Sequence, residues 1–477
     1  MRGETAGETG NWSTLAVLLL GAFLPILDFN VVNLAIPAIR ADLHATPAQL
    51  QLVINGYMSI YAVLLITGGR LGDRFGRRRM FMLGLSGFTL ASALCGTAQT
   101  PAWLIAGRLL QAGTATVMAP QVIASIRDIF PGHRLRVALA LYGATFGLSF
   151  VAGQLVGGLI VQARPFGLSW QPVFLVNVPL GLLALAGARF TLKDTRAANP
   201  QRMDLAGVAI SGAALLTLVL PLTMGRDLGW PWWCFALLAM TPALVTAFVR
   251  WELAVARRGG DPLVRIDLFR RPTMALGAPI AIAFYTTAVM FMLVAILLQD
   301  GERMAPAQSG LTIMPLSASY LAVSLVSASL VARLGSAVTA VGMAAQLAGL
   351  LVIAAAAFVG SAGISTVGLV LLGAGFGIIM PTIVGTVIGG VEPEHAGLAA
   401  GVVMSALQVG ASSGVAIVGG VFFAALGPSP GVRDYRHAFA LSTSANAALV
   451  AIGLALAIAL GISTRTLKVF RDRDDRS

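Results

Sequence analysis

Asp28 lies in the run "LPILDFNVVNLAIP", and of the chain's 20 acidic residues it alone falls well inside an apolar stretch. On a helix beginning near Trp12 it sits about 24 Å along the axis, at a rise of ~1.5 Å per residue. A carboxylate at membrane depth costs about 2.5–3.5 kcal/mol on insertion scales, and taking up a proton removes that cost. A proton-coupling group needs this property. The plainer reading is a buried structural acid capped by Asn30, Asn33 or the backbone near Pro25. Arg108, in "LIAGRLLQAGTATVMAP", is the other charge deep in an apolar run. It has two readings: a fixed cation that stabilises ionised Asp28 and changes partners when Asp28 is protonated, or a hydrogen-bonding anchor for loosened backbone.

A different kind of site is written in "GGRLGDRFGRRRMF", Gly68 to Phe81, where five arginines and one aspartate interrupt a greasy chain. Gly69, Gly72 and Gly76 permit a tight turn and close helix approach. Asp73, expected at the membrane rim near the start of the next helix, can dock a neighbouring segment through charge-assisted hydrogen bonds. Arg127, in "SIRDIFPGHR", is the candidate partner.

The elements that must carry these residues are membrane helices. The chain has 477 residues, 57% hydrophobic and 11% charged, too little charge to cover a soluble surface of that size. Fourteen apolar runs recur, each near the ~20 residues that cross a bilayer. They fall at about 12–36, 48–68, 79–98, 102–125, 137–162, 171–191, 205–224, 232–250, 273–298, 309–331, 336–358, 364–388, 398–425 and 438–462. The first is too long for a cleaved signal peptide and carries an aspartate. The net charge of +12 does not point to nucleic acid, because the basic residues sit in short loops. With the N-terminus inside, 25 of the 32 Lys and Arg side chains fall in inner loops and tails, which predicts both termini cytoplasmic. The linker Ala256 to Pro272 is basic yet partly apolar, a composition suited to the membrane surface. Cys95 and Cys234 lie in apolar segments and read as inert core, and the four histidines have no metal-ligand spacing.

An internal repeat runs at a constant offset of 262 residues. "RLLQAGTATVMAP" at Arg108 matches "VLLGAGFGIIMP" at Val370, Pro131 and His133 match Pro393 and His395, and Gly157-Gly158 matches Gly419-Gly420. The same offset sets Met290 opposite Asp28, Val370 opposite Arg108 and Gly335 opposite Asp73. Two six-helix halves with spans seven and eight inserted between them account for this, an arrangement of secondary transporters. Boundaries follow: 1–195 for the first bundle, 196–256 for the inserted pair, 257–271 for a cytoplasmic linker, 272–464 for the second bundle and 465–477 for a tail.

Here the motifs resemble a known family. "GGRLGDRFGRRR" is similar to the loop signature of the major facilitator superfamily, and "LDFNVVNLAIPAI" to the first-helix motif of its fourteen-helix drug:proton antiporters, the EmrB/QacA type. "LIAGRLLQAGTATVMAP" resembles the fourth-helix motif, "GATFGLSFVAGQLVGG" the fifth-helix antiporter motif, "VFLVNVPLG" the sixth-helix sequence and "ERMAPAQSGLTIMP" the segment leading into span ten. Asn30 stands where threonine is common. Gln154 replaces the usual proline after Gly153, which puts the motif's kink in question. The resemblance implies the all-α major facilitator fold with fourteen helices. It also implies a cytoplasmic latch at Gly69, Gly72, Asp73, Arg74, Gly76, Arg77, Arg78 and Arg127 that holds the halves closed when the site faces outward. The antiporter-motif glycines are Gly143, Gly147, Gly153, Gly157 and Gly158. These and Gly410, Gly414, Gly419 and Gly420 form small-residue seams suited to a rocking interface.

The expected function is proton-coupled export of drugs or other small amphipathic compounds by alternating access, with Asp28 and Arg108 coupling the proton. Candidate pocket residues are Asn33, Tyr57, Gln154, Asn177, Tyr285, Met290, Met292 and Gln408, the last four forming an adaptable apolar wall in a second half that lacks the coupling charges. A single membrane acid suits neutral amphipathic or monocationic substrates. No Gly-rich loop ending in Lys-Ser/Thr occurs, so nothing points to ATP use; the expected energy source is the proton gradient, with no cofactor. No nucleophile, base or metal cluster supports an enzyme. The expected partners are the substrate, protons and the lipid bilayer, with no nucleic acid, and the expected state is a monomer in a bacterial cytoplasmic membrane. Export of a specific endogenous metabolite, nutrient symport, and a non-transporting receptor or structural role remain alternatives.

Overall fold

The structure is a computed structural model that describes residues 4–474 except 47, 48, 51, 164–166, 194–203, 226, 227, 305, 360–364, 393–395 and 427–429. Apolar runs of this length satisfy their backbone polar groups in lipid only as helices, and helices are what form. The first half comprises α1 (Glu4–Leu43), α2 (Tyr57–Phe75), α3 (Arg77–Gly96), α4 (Pro101–Ile129), α5 (Gly132–Ala163) and α6 (Asn177–Thr191). The inserted pair is α7 (Leu205–Met224) and α8 (Trp232–Arg257). Then follow α9 (Pro272–Gly301), α10 (Pro306–Leu334), α11 (Val338–Phe358), α12 (Thr366–Gly389), α13 (Ala396–Gly414, continuing to Leu426) and α14 (Val432–Asp474).

Thirteen of these are long and apolar enough to span a membrane, and the fourteenth is the pair Leu52–Leu65 and Thr67–Phe75, bent by 49°. The element boundaries repeat in the register of the sequence match. Thus α3 corresponds to α11 and α4 to α12. The irregular turns do not all repeat. A π-helical turn, Leu52–Gly56, precedes α2, and α9 is broken by the 3-10 turn Thr286–Ala288. In α13 the π-helical turn Val415–Gly419 interrupts the helix, whereas α5 runs unbroken past Gly153.

Contacts divide the chain into two units. The first holds residues 1–138, 148–265 and 392–405, and the second holds 139–147, 266–391 and 406–477. In the first, α4 packs on α2 and α3, and α6 on α1 and α3. Gly84 makes the α3–α4 crossing close, since a Cβ there would lie 2.7 Å from the Met118 nitrogen and 2.8 Å from the Thr114 oxygen. In the second, α12 packs on α10 and α11, and α14 on α11 and α9.

The front of the linker packs into the first unit. Leu263 and Val264 are 2% and 3% exposed, because their side chains and backbone dock into the first unit. Cys95 and Cys234 are both buried and free.

Candidate functional site

Asp28, Ser92, Arg108, Gln111 and Asn177 come from α1, α3, α4 and α6, and all five are 0% exposed. Arg108 Nη1 donates to Asp28 Oδ2 and, at 2.6 Å, to Gln111 Oε1. The other carboxylate oxygen, Oδ1, accepts from Gln111 Nε2 at 2.9 Å and from Asn177 Nδ2 at 2.8 Å. Gln111 Nε2 also reaches the Ser92 hydroxyl at 2.8 Å. The carboxylate is therefore held by one cation and two amides in a dry environment, where each charge-assisted bond is strong and a lost partner is costly.

Arg108 contacts backbone as well as the carboxylate. Its Nε donates to the Val53 carbonyl at 3.2 Å, which anchors the π-helical turn before α2. Its guanidinium carbon lies 4.2 Å from the centroid of the Tyr57 ring, which stacks in turn on Tyr61 at 5.9 Å. Three buried polar atoms around the pair have no hydrogen-bond partner among the described residues: Arg108 Nη2, Asn177 Oδ1 and the Tyr57 hydroxyl.

The sequence missed Gln111 and Ser92. Gln111 had a signal, since it follows Arg108 by three residues and shares its helix face. Ser92 had none. Asn177 and Tyr57, expected as pocket residues, touch the charged pair. Asn30 does not cap Asp28; its amide donates to the Ile26 carbonyl at 2.7 Å. The side chains of Asn33 and Gln154, and Gly158, lie outside the described residues.

At the other end of α2, Asp73 lies in the last turn rather than at the start of the next helix, and its cation is Arg77, with Nη2 3.5 Å from Oδ1. Arg127 is not that partner. Its electrostatic neighbours are Asp128, Arg77 and Glu392. Arg77 also donates to Asp128 and, at 3.0 Å, to the Ala124 carbonyl of α4. Gly76 takes φ 98°, which breaks the chain between α2 and α3 without strain. Gly72 leaves room for the Gln121 amide, whose Nε2 donates to the Gly68 carbonyl at 2.7 Å, and Gly69 is buried nearby. Arg78 donates to the Arg189 carbonyl at 2.9 Å, and Arg74 is exposed over the Phe75 ring.

In the second unit the position opposite Asp28 is apolar. Met290 is 1% exposed and lines a small cavity with Thr287, Phe291, Leu316, Leu369 and Phe376. Phe376 is the hub of an aromatic cluster, with Phe284 at 5.0 Å, Phe291 at 5.6 Å and Tyr320 at 5.8 Å between centroids. Tyr285 packs on Phe284 at 5.6 Å. Met292 points the other way and is 40% exposed, and Gln408 is half-buried on α13. Of the small-residue positions, Gly143 abuts Pro381 and Ser324 and Gly147 abuts Tyr320 in the second unit. Gly153 abuts Asn30 in the first unit, and Gly157 is buried there. Gly410 and Gly414 of α13 abut the backbone of Ile282 and Thr286. Among the described residues, no three His, Cys, Asp or Glu side chains gather in metal-binding geometry.

Thirteen long apolar helices and one bent pair among the described residues, in a repeated arrangement around the buried Asp28–Arg108 ion pair of the first half, define a multi-pass membrane transporter. The chain belongs to the Major Facilitator Superfamily, whose sequence profile matches residues 18–415. It is 36% identical over 423 residues to a probable actinorhodin transporter of Streptomyces coelicolor, covering 87% of this chain and 73% of that one. The tetracenomycin C resistance and export protein of Streptomyces glaucescens is 34% identical, covering 86% of this chain and 75% of that one. In structure it is similar to the human organic anion transporter MFSD10, with a TM-score of 0.67 at 14% identity over 94% of this chain and 99% of that one.

Proposed function

We propose that this protein is a proton-coupled exporter of small amphipathic molecules, neutral or monocationic, of the fourteen-helix EmrB/QacA type. Both termini would face the cytoplasm of a bacterium, as the distribution of basic residues implies. The observation that carries the reading is the fully buried Asp28–Arg108 pair, with Gln111 and Asn177 spending their donors on the carboxylate. A proton arriving on Asp28 removes the charge that these three groups hold. Arg108 is then left buried with a weaker partner, and the arrangement of α1, α4 and α6 around it is biased toward a second state. Binding of substrate near Tyr57 would couple to that bias. The halves 1–195 and 272–464 would rock about the glycine seams of α5 and α13, the α2 terminus acting as latch.

The test is efflux of a lipophilic fluorescent dye from energised cells, comparing the wild type with Asp28→Asn at matched expression and with a parallel uncoupled sample. The wild type should expel dye only with a gradient, and the variant should not. A variant that keeps gradient-driven efflux would remove Asp28 from the mechanism.

A second reading is export of one compound made by the producing cell itself. It is favoured by relatives named for export of single antibiotics, tetracenomycin C and cephamycin among them. A panel in which one compound alone is moved would select it.

A further inference from the structure

The inserted helix α8 faces outward along nearly its whole length, and its only buried described residues are Cys234 and Glu252. A carboxylate 1% exposed on such a helix is costly and contributes no apolar packing. Its Oε2 accepts the Val264 amide at 3.0 Å. On the other side of the same peptide, Arg70 of α2 donates from Nε to the Leu263 carbonyl at 2.7 Å and from Nη2 to the Pro262 carbonyl. Arg70 is 9% exposed and has Asp73, Glu252 and Asp261 as its acidic neighbours. The base of the pair is tied as well: Asp204, at the start of α7, accepts the Gly207 amide and the Trp251 indole, each at 2.8 Å. The linker's far end belongs to the second unit, where Arg271 donates to the Gly390 carbonyl at 2.6 Å.

We propose that Arg70 and Glu252 are positioning residues that clasp the peptide Asp261–Arg265 from both sides. The inserted pair, the front of the linker and the latch helix α2 then move as one body, and the joint between the halves falls at Arg265–Ile266. The consequence for turnover rests on the export reading above; the clasp itself does not. A planar fork reads two successive carbonyls, which a lysine cannot do. The acceptor role of Glu252 needs an oxygen rather than a charge, so glutamine supplies it.

The experiment uses the full chain with Cys95 and Cys234 changed to alanine and Val264→Cys as reporter, in inverted vesicles treated with a membrane-impermeant maleimide. Labelling should be slow in this background and in Glu252→Gln. It should be about tenfold faster in Glu252→Ala and in Arg70→Lys, the cost of one lost bond, and at least as fast in Arg70→Ala, which loses two. Dye efflux by the last three should show a severalfold lower maximal rate at unchanged KM, with Glu252→Gln restored to the background rate. Arg70→Lys retains a cation beside Asp73, which keeps the test open if an alanine variant fails to fold. Equal labelling across all variants overturns the clasp. Faster labelling with an unchanged maximal rate overturns its place in turnover. A background protein that moves no dye at any gradient counts against the export reading, and the labelling ratio then decides the clasp by itself.

Discussion

At the residue scale the site is one carboxylate shared among a cation and two amides, and each partner has a separable task. Arg108 binds Asp28, Gln111 and the Val53 carbonyl through one planar group. Arg108→Lys keeps the charge but not the fork, so gradient-driven efflux should fall at least tenfold in initial-rate assays. Gln111→Leu removes a donor from Asp28 Oδ1 and an acceptor from Arg108. It should lower stability by about 1–3 kcal/mol, read as a lower Tm in detergent. An unchanged Tm would mean that the Gln111 bonds carry no net stability. Asp28 and Arg108 were legible in the sequence because charge is rare in apolar runs and expensive there. Ser92 and the redirected Asn177 were not, since a serine or asparagine in a membrane helix satisfies itself locally as often as across helices.

Helix crossings here depend on which glycines face a neighbour's backbone. A Cβ at Gly84 would press on the backbone of Met118 and Thr114, whereas a Cβ at Gly113 meets nothing within 4 Å. Gly84→Ala should therefore separate α3 from α4 and cost about 1–3 kcal/mol, seen as lost folded yield and a lower Tm. Gly113→Ala should be neutral or slightly stabilising through its helix propensity. Equal behaviour of the two would contradict the packing of α3 on α4. Helix identity followed from apolar length alone. The interruptions did not, because the turn at Leu52–Gly56 is fastened by Arg108 from a helix more than fifty residues away.

Across the whole molecule, two repeated halves share their helix order but not their chemistry. Met290, opposite Asp28 in the repeat, lies in an apolar cavity beside Phe376. Met290→Asp should abolish efflux of amphipathic dyes, while Met290→Leu should cost less than about 1.5 kcal/mol and keep activity. If Met290→Asp left efflux and its gradient dependence unchanged, the confinement of coupling to the first half would be wrong. By itself the sequence determined the number of spans, the repeat and the two charges worth examining, because hydropathy and desolvation are local costs borne by each residue wherever the chain goes. The tertiary structure alone decided who holds Asp28, that Arg77 rather than Arg127 meets Asp73, and that Arg70 and Glu252 hold the front of the linker. Those outcomes depend on which helix faces are brought together, and pairwise bonds across tens or hundreds of residues leave no periodic trace in composition or spacing.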